Sequence, residues 1–111
     1  MGSVQLTFER DSVCAGDDAT APNTVQIPYD HQPLISDVFA PEGPVCAYLP
    51  SVSAPRTYWA ARIGNVHIAN LCVSELAGRR LEVRLLASDR RLSSETMWFS
   101  YLGQSTVTPG N

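Results

Sequence analysis

The stretch Tyr58-Trp59-Ala60-Ala61-Arg62-Ile63-Gly64-Asn65-Val66-His67-Ile68-Ala69-Asn70-Leu71-Cys72-Val73 decides the fold. Two runs rich in aromatic and β-branched residues flank Gly64-Asn65, a dipeptide suited to the positive backbone dihedrals of a two-residue hairpin turn. Pairing outward from the turn sets Ile63 opposite Val66 and Ala61 opposite Ile68, with Trp59 next on the same face. Arg62 and His67 then meet on the other face. Because side chains alternate along a strand, this is a hairpin with one apolar and one solvated side.

Working outward, Val4, Leu6 and Phe8 alternate with Gln5, Thr7 and Glu9, and Val25, Ile27 and Tyr29 alternate again. Two further strands follow, forming a first hairpin with a wide loop. Pro28 has no N–H to give to a ladder, so its strand is expected at a sheet edge. Asp30 is placed to cap a short helix carrying Leu34, Ile35, Val38 and Phe39 on one face, with Pro41 ending it. Glu42 to Pro55 reads as an irregular, proline-rich crossing anchored by Tyr48 and Leu49. After a helical turn stopped by Gly78, Leu81, Val83 and Leu85 predict another strand. The last element is open between two forms. Ser93 or Ser94 can cap a short helix through Met97 and Trp98, whereas the alternation of Met97, Phe99 and Tyr101 predicts a strand. The expected architecture is α+β, a β-grasp-like mixed sheet of four to five strands with one crossing helix; a partly open all-β barrel is the alternative. Residues 1–103 are expected to form one domain and 104–111 a flexible C-terminal tail.

Composition narrows the functional classes. A chain of 111 residues with 44% hydrophobic and 17% charged residues fits one globular domain. It contains no apolar run of the roughly 20 residues that a membrane helix requires. The N-terminal residues do not read as a secretory signal, so a cytoplasmic location is expected. Cys14, Cys46 and Cys72 are odd in number and widely spaced, which predicts reduced thiols and neither a disulfide framework nor a zinc site. Phosphate loops, dinucleotide fingerprints and the nucleophile elbow are missing. With no lysine in the chain, no Schiff base can form. No cofactor and no metal is expected, and turnover would fall on Cys14 with His31 or His67.

Charge is unevenly distributed. Residues 1–42 hold seven carboxylates and one arginine, whereas residues 43–111 hold seven arginines and four carboxylates. The net charge of −3 speaks against general nucleic-acid binding. Arg79, Arg80, Arg84, Arg90 and Arg91 lack interleaved aromatics in sequence and read as a solvated rim.

The acidic half contains Arg10-Asp11-Ser12-Val13-Cys14-Ala15-Gly16-Asp17-Asp18, directly after an alternating strand. Asp11, Asp17 and Asp18 have three readings: an Asp-rich turn bonding neighbouring amides, a hard-cation loop, or a mimic of an anionic ligand that enters a basic site on a partner. The turn is the plainest of these. Between the other two the partner is preferred, because the whole acidic half supports it, while the spacing departs from known calcium loops. With Ala21-Pro22 and Tyr48-Leu49-Pro50-Ser51, this segment resembles a set of small uncharacterised bacterial proteins. Some of those are similar to the immunity partners of bacterial toxins. The resemblance covers about the first half of the chain and implies no catalytic residue. Taken with the charge of the acidic half, which points to a surface at Asp11, Asp17 and Asp18, it gives the expectation of a small cytoplasmic protein-binding module, of the immunity or inhibitor kind, acting through that acidic surface. A small enzyme or ligand-binding domain using Cys14 with a histidine is the alternative.

Overall fold

The computed structural model describes residues 3–11, 24–49, 55–75 and 78–105, with backbone alone at 104 and 105. Among these residues six strands and two short helices run in the order β1 (Val4–Arg10), β2 (Thr24–Tyr29), α1 (Ile35–Val38), α2 (Pro44–Tyr48), β3 (Arg56–Ile63), β4 (Val66–Ser74), β5 (Arg80–Leu85) and β6 (Thr96–Ser105). They make one mixed sheet ordered β2-β1-β6-β3-β4-β5, curled into half a barrel. Six strands replace the expected four to five, and two short helices replace the single crossing helix. The partly open barrel is therefore the nearer of the two expected architectures.

Each hairpin is where alternation predicted it. Leu6 and Phe8 are buried while Gln5 is exposed, and β1 pairs antiparallel with β2. In the second hairpin only Gly64 takes a positive φ, +60°, as in the two-residue turn that places glycine first. Ile63 does face Val66 and Arg62 faces His67, but Ala61 faces Ala69 and not Ile68. A β-bulge between Ala61 and Arg62 leaves Ile68 as the extra residue, and its side chain is buried in the core.

The last element is a strand. β6 runs antiparallel to β3 and parallel to β1, filling the slot between the two hairpins. It reaches Ser105, two residues into the segment expected as a tail; residues 106–111 lie outside the described ones. Period two prevailed over the helical reading because Met97 and Phe99 are both buried on one face.

The helix predicted after Asp30 begins later. Asp37, not Asp30, caps it, accepting the Leu34 N–H at 3.1 Å. Asp89 accepts the Ser36 N–H at 3.0 Å and the Ser36 hydroxyl at 2.6 Å, satisfying N-terminal groups that so short a helix leaves without internal partners. The proline-rich crossing holds α2, opened by Pro44 in its first turn. Tyr48 and Leu49 anchor it as expected. The Tyr48 ring lies 5.4 Å from Phe8 and 5.8 Å from Phe99, and Leu49 is buried. Both helices cover one face of the sheet, over Trp59, Leu71, Val73, Leu81 and Phe99. Among the described residues no helix is long and apolar enough to cross a membrane.

Candidate functional site

Asp11 is the one residue of the acidic trio that is described. Its N–H donates to the Phe99 carbonyl at 3.0 Å, and its Oδ2 accepts the Tyr101 N–H at 3.0 Å. The side chain thus extends the β1–β6 ladder beyond the last strand pair. Arg10, read in sequence as part of the acidic loop, is instead buried. Its guanidinium carbon lies 5.6 Å from the Tyr48 ring centroid, and its Nη1 donates to the Asp11 carbonyl at 3.2 Å. Asp17, Asp18 and Cys14 lie outside the described residues.

The histidines and described thiols form no catalytic constellation with one another. His31 is exposed beside the start of α1, and His67 is exposed opposite Arg62, with its Nε2 3.1 Å from the Ala69 carbonyl. Cys46 is buried. The Cys72 thiol is pushed above its ordinary value by burial and then by Glu82, with Arg56 opposing, which keeps it protonated and a poor nucleophile. No three His, Cys, Asp or Glu side chains among the described residues gather to hold a metal ion.

The arginines divide by role. Arg79 is not a rim residue. Its Nε donates to the Cys46 carbonyl at 3.0 Å, its Nη1 to Glu75 at 2.8 Å and its Nη2 to the Leu49 carbonyl, so it fastens α2 to the β4–β5 connection. Arg90 forms a bidentate pair with Glu95 at 3.2 and 3.1 Å, and Arg91 donates to the Gln32 carbonyl at 2.8 Å. Arg80 and Arg84 are exposed on β5. On the face away from the helices, register places Arg84 beside Asn70, with Ala60 on the far side of Asn70, and Arg62 between His67 and Trp98. Arginines and aromatics separated in sequence therefore become neighbours on one face.

Among the described residues strand order makes β2 and β5 the two edges, and the backbone bonds tell which groups each edge leaves outward. On β1 the N–H groups of Thr7 and Asp11 point to β6, donating to Glu95 and Phe99. Leu6 and Phe8 must therefore point to β2, which makes Gln5↔Pro28 a non-hydrogen-bonded pair. The ring nitrogen of Pro28 consequently lies on the outer row, where it removes a free-edge donor at no cost to the ladder. On β5 the Leu86 N–H points inward, to the Ile68 carbonyl at 2.8 Å, while the Leu81 N–H points outward, to the Pro41 carbonyl at 2.9 Å. By alternation Val83 and Leu85 also point outward, with no bonded neighbour strand among the described residues. Val83 is 40% exposed and Leu86 45%.

Sequence reasoning identified the β2 edge through Pro28 and missed the β5 edge. The available signal was an alternating Leu81-Val83-Leu85 strand flanked by arginines and lacking any proline. A groove of about 300 Å³ runs beside this edge, bordered by Tyr58, Cys72, Glu82, Val83 and Arg84. Another of about 420 Å³ beside β2 is bordered by Val4, Pro28, Tyr29, Asp30 and Ser94 and offers no arginine. Comparison of the chain with protein-family models, curated proteins and solved structures gave no match.

Proposed function

We propose that this chain is a small protein-binding module, of the immunity or inhibitor kind, that acts by contact and not by turnover. The observation that carries the reading is the unequal treatment of the two sheet edges. β2 has its outer row interrupted by Pro28, while β5 offers the outward groups of Val83 and Leu85 beside exposed Val83 and Leu86. An unblocked edge is a template for strand addition, a recurrent way of holding a partner's extended segment. The position of β6 between β1 and β3, parallel to β1, supports a β-grasp-like topology with one added strand. The test is to place a photo-crosslinking amino acid at position 83 or at position 26 and irradiate in native cells. A defined protein adduct from position 83 and none from position 26 is expected; equal labelling, or no protein adduct from position 83, overturns the reading.

A second contact surface is the acidic half, favoured by the surplus of carboxylates in residues 1–42. If Asp17 and Asp18 serve a partner, Asp17→Asn/Asp18→Asn weakens the complex and leaves Tm unchanged, since exposed carboxylates add little to folding stability. A lower Tm with no response to calcium means the loop is only a turn.

A further inference from the structure

The face of the sheet turned away from α1 and α2 collects the cations and rings that the fold itself leaves without partners. Four of the eight arginines have structural work: Arg10 is buried against Tyr48, Arg79 fastens α2, Arg90 holds Glu95 and Arg91 holds the Gln32 carbonyl. The other four are Arg56, Arg62, Arg80 and Arg84. Among the described residues their side chains make no hydrogen bond or ion pair, and the Nε of Arg56 is buried without one. Register sets all four on the open face, Arg56 and Arg62 on β3 and Arg80 and Arg84 on β5. The aromatics divide in the same way. Phe8, Tyr48 and Phe99 pack on one another and Trp59 packs on Tyr101. Tyr58 and Trp98, half-buried on the open face, touch no other ring among the described residues.

From this segregation we infer that the open face binds single-stranded nucleic acid, a function separate from the contact at the β5 edge. Such a surface needs cations for the phosphates and ring faces on which bases stack. The interleaving of arginine and aromatic that is missing along the sequence is present across the strands. Trp98 lies beside Arg62, and Tyr58 lies four residues along β3. Strand spacing and rise put the backbones of Trp98 and Tyr58 roughly 14 Å apart, so one strand crossing obliquely can lay separate bases on the two rings. The net charge of −3 belongs to the whole chain. β3, β4 and β5 together carry four arginines and one carboxylate, Glu82, and Glu9 stands at the margin, beyond Trp98 on β1. Glu82 borders the groove of about 300 Å³ with Tyr58, Asn70 and Arg84. A base stacked on Tyr58 presents its edge there, and a carboxylate accepts from an exocyclic amino group.

A protein with an acidic surface fits less well. The core of a protein interface is apolar, and on the β3–β5 part of this face Ala60 is the one aliphatic side chain among the described residues. A duplex keeps its bases stacked inside and offers the two rings nothing to stack on.

The test measures binding of the full chain to a fluorescent dodecathymidylate by anisotropy, with a duplex of the same length and polyglutamate as competitors. The single strand is expected to bind at low salt, about tenfold or more tighter than either competitor. Arg62→Ala/Arg84→Ala should weaken binding and flatten the plot of log affinity against log salt by about 1.4, two phosphate contacts' worth. Tyr58→Leu should weaken it about fivefold or more with the salt slope unchanged, because a stacking partner is lost and no charge. Arg62 and Arg84 are exposed, so the result of the double variant stands even if the tyrosine variant fails to fold. Absence of binding at low salt overturns the inference, as does an unaltered slope in the arginine variant. Equal competition by polyglutamate overturns it in favour of an acidic protein partner, and equal competition by the duplex reduces the face to bare charge. None of these outcomes bears on strand addition, which crosslinking at position 83 decides.

Discussion

β2 and β5 close the same sheet at opposite ends, yet they treat their outer rows differently. β2 loses an outer donor to Pro28, whereas among the described residues β5 has its outer row covered at Leu81 and left open at Val83 and Leu85. The covering at Leu81 comes from the chain itself, through the residue that ends the α1 region. Edge character is thus graded along β5 and not uniform. A proline protects one point by removing a donor, and a crossing loop protects another by accepting from it.

The largest expected effect belongs to the part both edges share. Trp59 is fully buried, 5.1 Å from Tyr101, and Trp59→Ala should cost about 3–5 kcal/mol through lost burial and the remaining cavity. Urea unfolding measures this, and a loss below about 1 kcal/mol would show that the sheet centre is not what holds the two edges together. Next comes Arg79→Ala, which removes the fastening between α2 and the β4–β5 connection. A loss of about 1–3 kcal/mol is expected, with amide exchange rising around α2 and β5 and unchanged in β2. Equal acceleration at both edges would make the fastening global and erase the contrast.

Exchanging the edges themselves should have smaller energetic consequences. Pro28→Val restores an outward donor on β2 and Val83→Pro removes one from β5, and neither touches a ladder bond. Each should shift stability by less than about 1 kcal/mol. Pro28→Val should also make the chain associate with rising concentration, as read by light scattering. In the parent, Val83 and Leu85 should exchange faster than Glu82 and Arg84, a period-two pattern that a covered edge would not show.

The smallest effect is that of pH. The Asp89 carboxyl is held below its ordinary value mainly by the Ser36 hydroxyl and then by the Ser36 N–H. Glu95 is held down first by the Arg90 guanidinium. Both have folded values below their unfolded ones, so their contribution is present above the ordinary carboxylate range and is lost as pH falls through it. Acid should loosen the segment after β5 before it loosens β2. In Asp89→Asn/Glu95→Gln the fall of Tm with acid should be shallower, and a slope matching the parent would assign the acid response elsewhere.

The sequence was legible where structure is local. Alternation located β1 through β5, Gly64-Asn65 located the tight hairpin, and Pro28 marked an edge. It was illegible where position depends on distant partners. α2 spans five residues, too few for a helical period to register among prolines. Ile68 turned inward because a bulge shifts register, which no spacing rule announces. Arg79 owes its role to carbonyls 30 and 33 residues away, so composition alone placed it on the rim. Asp11 was legible as special, but its bond to Tyr101 spans 90 positions. That β5 is an edge follows only once β6 is known to sit on the other side of β3.

The seat of β6 also dictates an order of events during synthesis. Phe8 pairs with Met97 and Arg10 with Phe99, so the strand that joins the hairpins is the last of the six described strands to be synthesised. Until then β1 and β3 face an empty slot, and each hairpin shows an unpaired inner edge. Contacts this distant in sequence slow folding, and exposed edges invite mispairing in the interval. Delay in translating residues 96–105 should therefore lengthen the window for aggregation more than an equal delay anywhere upstream.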